Sequence, residues 1–144
     1  METKDCTSFK VRKLDRLLAR QYDTALAAAN LKSTQFAMLR HIYRFGPISI
    51  SDLAIKLGMD QSTLSRNIKL ALEEGWVKIT SGEDARTRII TNTAAGNKKH
   101  QAAKLLWESQ QRNVIKVLGK NRTTELNKMI DEAIALIEFS RITK

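Results

Sequence analysis

The chain has the length of one domain and is strongly basic. It contains 144 residues, of which 25 are Lys or Arg and 15 are Asp or Glu, giving a formal net charge of +10. Because 42% of the residues are hydrophobic and only one is cysteine, the composition excludes a disordered polymer, a collagen-like chain and a disulfide scaffold. The positive charge favours a polyanion such as nucleic acid as the partner.

The sequence indicates neither membrane insertion nor metal chemistry. Its first residues lack the apolar stretch of a signal peptide, and no apolar run approaches the roughly 20 residues that span a bilayer. We therefore expect a cytoplasmic protein that makes no membrane contact. The single cysteine, Cys6, and two distant histidines, His41 and His100, offer no ligand cluster, so we expect no metal and no cofactor.

Helical periodicity dominates the first 46 residues. Apolar side chains recur at spacings of four, four and three residues, at Leu14, Leu18, Tyr22 and Ala25. This spacing predicts a first helix over about 9–28. Ser33 is expected to cap a second helix over about 34–45, which ends at Gly46-Pro47. The second helix has apolar residues on two faces, so we expect it to be buried on nearly all sides.

The next segment predicts two short helices joined by a tight turn. Ser51 begins a capped helix through Leu57, Gly58 marks the turn, and a second helix is expected over 61–74. This arrangement is typical of a helix-turn-helix. One side of the second helix is apolar and carries Leu64, Ile68, Ala71 and Leu72. The opposite side is polar and basic and carries Ser62, Arg66 and Lys69.

A β-hairpin is predicted directly after the helix pair. Residues 76–80 and 87–91 have strand-like composition, and the polar turn between them contains Gly82. A hairpin that follows a recognition-type helix forms a wing. Between residues 51 and 92, six basic side chains are balanced by six acidic ones. The ten excess positive charges therefore lie outside this module.

Two further helices are predicted towards the carboxyl end. Thr93 is expected to cap a long helix that runs to Leu118, and Gly119 together with residues 121–124 is expected to break it. The last helix has an apolar seam with intervals of four, three and four residues, formed by Leu126, Ile130, Ala133 and Ile137. Such a seam is typical of a helix that packs against a second chain, although packing within one chain would use the same residues.

Several segments make the sequence resemble the MarR family of winged-helix transcription regulators. They are Leu31–Leu39, Asp52–Ala54, Asp60–Arg66, Asp84-Ala85-Arg86 and Thr91–Gly96. Asn92 departs from the family pattern, which has an apolar residue there. The resemblance implies a mainly α fold with a small β-hairpin wing. Residues 47–92 would form the winged helix-turn-helix, and residues 1–46 and 93–144 the N- and C-terminal dimerisation helices.

The resemblance implies a homodimeric, sequence-specific regulator that binds double-stranded DNA and represses at a pseudo-palindromic operator. The residues expected to contact DNA are Gln61, Ser62, Thr63, Ser65, Arg66, Lys69, Asp84, Arg86 and Arg88. From their chemistry, Arg66 suits a guanine and Lys69 a phosphate. Arg86 resembles the arginine that the family inserts into the minor groove. Asp84 is expected to orient the guanidinium of Arg86, and Arg88 is expected to contact the DNA backbone.

A small aromatic or phenolic effector is a further implication of the resemblance. Some relatives bind phenolic acids in a crevice beside the second helix, which here carries His41. Other relatives respond to cysteine oxidation, which makes redox sensing through Cys6 an alternative. A second alternative is an architectural protein that coats DNA without sequence preference. No glycine-rich phosphate loop, nucleophile elbow or His-Glu zinc motif is present, so we do not expect an enzyme.

Overall fold

The structure, a computed structural model, describes residues 2–143 as a mainly helical chain with one small sheet. The helices are α1 (Thr7–Leu26), α2 (Ser33–Phe45), α3 (Ile50–Leu57), α4 (Gln61–Glu73), α5 (Ala94–Leu118) and α6 (Lys120–Ile142). The strands are β1 (Ile48–Ser49), β2 (Val77–Ser81) and β3 (Arg88–Asn92). The expected fold class is thereby confirmed. Within the described chain, none of the helices combines the length and the apolar composition that crossing a bilayer requires.

Internal contacts divide the chain into two compact units, Met1–Trp107 and Glu108–Lys144. The first unit contains the hydrophobic core, whose fully buried members include Leu26, Phe36, Met38, Leu39, Ile42, Leu53, Leu64 and Ile90. These side chains come from α1 to α4 and from β3, so the core supports the helix-turn-helix directly. The second unit consists of the last part of α5 and of α6. The functional division at residues 46 and 92 stays a prediction.

The sheet has three antiparallel strands in the order β1-β3-β2. Val77 pairs with Asn92 and Ser81 with Arg88, which gives the predicted hairpin. Strand β1, which no sequence pattern predicted, pairs Ile48 with Ile90 on the other edge of β3. A strand of two residues is too short to show an alternating pattern. Its pairing fixes the start of α3 against the wing.

Two predicted helix caps are wrong. Ser33 is the first residue of α2 rather than its cap, and its backbone N–H donates to Oδ1 of Asp23 at 2.7 Å. The carboxylate thus satisfies one of the unpaired N–H groups at the start of the helix. Likewise α3 begins at residue 50 and is capped by Ser49, not Ser51. The Oγ of Ser49 accepts a hydrogen bond from the N–H of Asp52 at 3.1 Å.

Helix α2 is less completely buried than we expected. Its core side is buried, but the side chains of Tyr43 and Phe45 are 50% and 41% exposed. The Tyr43 ring stacks on the ring of His100, with centroids 4.6 Å apart. The ring of Phe45 lies under the ammonium group of Lys56, 4.1 Å from its centroid. Both rings therefore cover polar side chains instead of entering the core.

Asn92, which departs from the family pattern, is buried and links the sheet to α2. Its Nδ2 donates to the backbone carbonyl of Leu39 at 3.0 Å, across 53 positions of sequence. Its Oδ1 accepts no hydrogen bond from residues 2–143. Strand pairing continues through Asn92, because its backbone stays in register with Val77. The amide therefore replaces an apolar contact with one directed hydrogen bond.

The connection from the wing to α5 depends on Thr93 and Gly96. Thr93 is the expected cap, because its Oγ1 accepts from the N–H of Gly96 at 3.1 Å. The same hydroxyl donates to the carbonyl of Gly75 at 2.6 Å, and the backbone N–H of Thr93 donates to the carbonyl of Trp76 at 2.9 Å. A β-carbon on Gly96 would overlap that carbonyl oxygen of Trp76. The close approach of two backbones thus requires glycine at position 96.

The break between the last two helices is shorter than we predicted. It consists of Gly119 alone, whose φ is 87°, and residues 121–124 are helical within α6. The hydroxyls of Thr123 and Thr124 donate to the carbonyls of Gly119 and Lys120, at 2.8 and 3.0 Å. Because each threonine bonds to the carbonyl four residues earlier, this polar run remains compatible with a helix.

Candidate nucleic-acid interface

Asp60 fixes the start of α4, the recognition helix of the pair. Gly58 turns the chain with a φ of 62°, and the Oδ1 of Asp60 then accepts from the N–H of Thr63 at 2.7 Å. It also accepts from the hydroxyl of Ser62 at 2.7 Å. These bonds, with the Thr63 backbone first, lower the pKa of Asp60 to about 2. The ionised cap stabilises the start of α4.

Helix α4 presents its polar side outward, as predicted. Leu64, Ile68 and Ala71 are buried in the first unit. Leu72 was expected among them, but it is 41% exposed and lines a cleft beside the wing. The exposed residues of the outward side are Gln61, Ser62, Ser65, Arg66 and Lys69. Thr63 is half-buried at the helix start.

The wing places two arginines at its exposed edge. Its turn is closed by hydrogen bonds from the N–H of Gly82 to Thr87 and from the N–H of Thr87 to Asp84. The Oδ1 of Asp84 accepts from the backbone N–H of Arg86 at 3.0 Å. We expected Asp84 to orient the guanidinium of Arg86, but the contact that the structure shows holds the backbone. Arg86 and Arg88 are both exposed.

A cleft of about 550 Å³ lies between α4 and the wing. Five residues expected to contact DNA line it: Gln61, Ser65, Lys69, Arg86 and Arg88. Ser62, Thr63, Arg66 and Asp84 are outside the lining. Three hydroxyl residues also line the cleft and were not predicted from the sequence: Ser49, Ser51 and Thr87. Every charged residue of the lining is a cation, so the cleft can hold an anionic, hydrogen-bonding chain such as a phosphodiester backbone.

A second crevice, of about 360 Å³, lies between α1, α2 and Trp107. Its aromatic wall includes Tyr22, Phe36 and Trp107, and its polar residues include Arg40 and His41. The guanidinium of Arg40 lies over the Trp107 ring, 4.8 Å from the centroid. Burial raises the pKa of Tyr22 above its ordinary value. The crevice therefore offers one cation, Arg40, and one carboxylate, Asp15, beside aromatic faces.

His100 is a buried residue whose environment the sequence did not reveal. It is 1% exposed and lies between the rings of Phe36 and Tyr43, with centroids 5.7 and 4.6 Å away. Burial, and then the positive charges of Arg40 and Lys104, lower the pKa of His100 below its ordinary value. The imidazole is consequently uncharged and packs as an aromatic ring against Phe36. No spacing pattern distinguishes such a residue from a surface histidine.

Cys6 lines neither the cleft between α4 and the wing nor the crevice beside α2. It is exposed and immediately precedes α1. Within residues 2–143, no group of three or more His, Cys, Asp or Glu side chains is arranged to hold a metal ion.

A helix-turn-helix, a β-wing and a cationic cleft between them define a winged-helix protein. The model of the MarR family matches residues 29–87. The HTH-type transcriptional regulator YwoH of Bacillus subtilis is 30% identical over 86 residues, which are 60% of this chain and 63% of that protein, less than two thirds of its length.

Solved structures extend the similarity to nearly the whole chain. The transcriptional regulator MOSR of M. tuberculosis, in complex with DNA, is 30% identical with a TM-score of 0.79, covering 92% of this chain and 98% of that one. The PcaV regulator of Streptomyces coelicolor, in complex with its natural ligand, shares the fold alone, with 14% identity and a TM-score of 0.83 over 94% and 96% of the two chains. The chain belongs to the MarR family of transcriptional regulators.

Proposed function

We propose that this protein is a homodimeric repressor that reads a pseudo-palindromic operator and leaves it when a small aromatic acid binds. The observation that carries the proposal is the cleft in which the outward side of α4 meets the wing arginines. A recognition helix suits the major groove, while an arginine at the wing edge suits a narrow minor groove. A protein seated across both grooves keeps other proteins off that stretch of duplex.

The proposed contacts divide into base reading and phosphate binding. Arg66 is exposed on the outward side of α4, where a bidentate guanidinium can pair with guanine, and Gln61 suits adenine. Lys69 and Ser65 line the cleft with Arg88 and bind phosphates. Arg86 enters the minor groove from the wing. The hydroxyl of Ser62 already donates a hydrogen bond to Asp60, so towards DNA it acts as a hydrogen-bond acceptor.

Helix α6 supports the homodimer. Thr123 is the buried residue of this 23-residue helix. Its large apolar side chains are exposed: Met129, Ile130, Ile134, Leu136, Ile137, Phe139 and Ile142. So many large apolar side chains exposed on one helix mark a surface that a partner covers. A second copy of the chain supplies that cover in a two-fold assembly, and it also places two recognition helices one DNA turn apart.

Base reading and phosphate binding are separable by mutation. Arg66→Ala should lower operator affinity by about 1–3 kcal/mol and relax the preference at one base step, because a bidentate base contact is lost. Lys69→Ala should weaken binding to all sequences alike and flatten the salt dependence. The measurement is titration of both variants and the wild type against operator and scrambled duplexes at several salt concentrations.

The operator for this measurement comes from footprinting the DNA that flanks the protein's own gene. A footprint with dyad symmetry supports the proposal. Equal affinity of the wild type for operator and scrambled duplex at one salt concentration identifies an architectural protein instead. If Arg66→Ala keeps both affinity and sequence preference, Arg66 has no role in base reading.

The crevice beside α2 supports release by an aromatic acid. A ring can pack on Phe36 and Trp107, while its carboxylate pairs with Arg40. His41 lines the same crevice, but its Nδ1 is hydrogen-bonded to the carbonyl of Ala37 at 2.8 Å. Its remaining nitrogen is available to a ligand hydroxyl. Because α2 also forms much of the core under α4, a ligand here contacts the support of the recognition helix.

Release is tested with hydroxybenzoates as probes. They should quench Trp107 fluorescence and lower operator affinity, because a bound ring packs against the indole that lines the crevice. Arg40→Ala should need at least about tenfold more probe, since a charge-assisted hydrogen bond contributes about 1.5–3 kcal/mol. Trp107→Phe serves as the fluorescence control, leaving Trp76 as the remaining indole. Operator affinity that stays constant while the probe saturates the fluorescence change would refute release.

A further inference from the structure

The exposed side of α4 consists of two neighbouring rows of side chains. Ser65 and Lys69 are spaced four residues apart and line the cleft beside the wing, where we assign them to phosphates. Ser62 and Arg66 have the same spacing, so they form the next row around the helix. Both are exposed, and both lie outside the lining of the cleft. The row of Ser62 and Arg66 is therefore the one that is available to base edges.

A negative charge stands at the start of this row. Asp60 is exposed and immediately precedes α4. Its hydrogen bonds to Thr63 and Ser62 lower its pKa to about 2, so the carboxylate is ionised at any pH at which duplex DNA is stable. Two negative charges repel each other. Asp60 consequently disfavours a phosphate at this end of α4.

The hydroxyl of Ser62 has its only proton committed to Asp60. Its Oγ donates to Oδ1 of Asp60 at 2.7 Å. An ionised carboxylate only accepts hydrogen bonds, so the direction of this bond is fixed. A hydroxyl has one hydrogen and two acceptor lone pairs, which leaves Ser62 with acceptor positions alone. Phosphate oxygens are also acceptors, and they cannot bond to it.

Asp60 can accept a further hydrogen bond beside Ser62. The two oxygens of a carboxylate offer about four acceptor positions. The N–H of Thr63 and the hydroxyl of Ser62 both bind Oδ1, at 2.7 Å each. We call Asp60 and Ser62 the acceptor pair, because both side chains can receive but not give a hydrogen bond at the start of the recognition helix.

We propose that the acceptor pair reads an exocyclic amino group in the major groove, N4 of cytosine or N6 of adenine. These amino groups are the hydrogen-bond donors that base edges present there, and guanine and thymine present acceptors in their place. Asp60 is then a specificity-determining residue as well as a helix cap. This selection rests on the proposed function, because α4 must enter the major groove for the acceptor pair to meet a base.

The position of the amino group follows from the geometry of α4. Ser62 and Arg66 are separated by four residues, which rise about 6 Å along a helix. Successive base pairs are about 3.4 Å apart, so the amino group lies within about two base pairs of the guanine assigned to Arg66. This neighbourhood is where the base preference should depend on Asp60 and Ser62.

The test measures base preference with two variants of the acceptor pair. Duplexes carry each of the four base pairs in turn at the positions around the guanine whose preference Arg66→Ala relaxes. Asp60→Asn keeps an oxygen for the N–H of Thr63 and caps a helix as well as aspartate does, but it replaces the other oxygen with a donor. Ser62→Ala removes an acceptor. Ser65→Ala, from the row that lines the cleft, is the matched control.

One position should favour cytosine or adenine by about tenfold in the wild type. Ser62→Ala should reduce that preference, and Asp60→Asn should shift it towards guanine or thymine, because the new amide group donates. Ser65→Ala should weaken all sequences alike. Replacing cytosine by pyrimidin-2-one, or adenine by purine, removes only the amino group. The replacement that weakens binding of the wild type more than that of the two variants tells which base is read.

Two outcomes overturn the proposal. If Asp60→Asn keeps the wild-type preference at every position, Asp60 is a helix cap alone. If Ser62→Ala weakens all sequences alike, as Ser65→Ala should, Ser62 contacts the DNA backbone. In both cases a wild type that prefers its operator leaves the proposed function intact. A wild type that binds operator and scrambled duplexes equally refutes the proposed function and the base contact together.

Discussion

Replacing Ile130 and Ile137 with glutamate should convert the protein into a monomer that no longer protects an operator. Both side chains are exposed in the single chain, by 41% and 63%, and belong to the exposed apolar residues of α6. Burying one such side chain contributes about 1.5–3 kcal/mol, and each occurs twice in a symmetric dimer. A buried, unpaired carboxylate reverses that contribution and adds a large desolvation cost.

The loss of operator affinity should be about 10³-fold or more, because one half-site supplies only half of the specific contacts. Sedimentation equilibrium at micromolar protein gives the mass, and footprinting gives the occupancy. Asn121→Glu with Asn127→Glu adds the same charge at polar positions of α6 and should remain dimeric. A wild type that sediments as a monomer, or a glutamate variant with an intact dyad footprint, contradicts the dimer.

Gly96→Ala should be the most destabilising of the glycine-to-alanine changes in this chain. The new β-carbon would overlap the carbonyl oxygen of Trp76, which already accepts the N–H of Thr93. Neither backbone can yield without opening the link between β2 and α5. We expect a loss in the free energy of unfolding at or above the upper end of the about 1–3 kcal/mol usual for overpacking. Urea unfolding followed by circular dichroism measures it.

Gly58→Ala is the matched control for this change. Gly58 has a φ of 62°, but a β-carbon there meets no atom within 4 Å. The same substitution should therefore cost only the left-handed backbone strain, about 1–2 kcal/mol. If Gly96→Ala proves no more destabilising than Gly58→Ala, the backbone approach at Trp76 is looser than the structure shows.

The sequence predicted the long helices well because their apolar side chains repeat at helical spacing. It failed where a contact joins distant residues. Ser33 has a capping residue type, yet the partner that ends up at this helix start is Asp23, ten positions earlier. Strand β1 has two residues and exists only because β3 offers it an edge. Residues 121–124 read as a break because hydroxyl side chains favour turns, but two of them bond back within the helix.

Only part of the candidate interface was predictable from the sequence. The outward side of α4 follows from periodicity, and Arg86 follows from the Asp-x-Arg motif. Arg88 follows from its position one strand step further along the same face. Ser49, Ser51 and Thr87 belong to the cleft because β1 and the wing turn come together in space. The same convergence explains Leu72, which faces the cleft instead of the core. The hydrogen-bond partner of Asp84 was also not predictable, since a sequence cannot show whether a carboxylate meets a guanidinium or a backbone N–H.

The buried amide of Asn92 has one further consequence, for the alignment of the wing. Successive side chains of a strand point to opposite faces, so sliding β3 by one position would exchange its inner and outer residues. With an aliphatic side chain at position 92, the penalty for such a slip would come from packing alone. Here a slip would also strip the amide of its acceptor on Leu39. A single buried polar group thus favours one alignment of β3 with α2 over the alignments shifted by one residue.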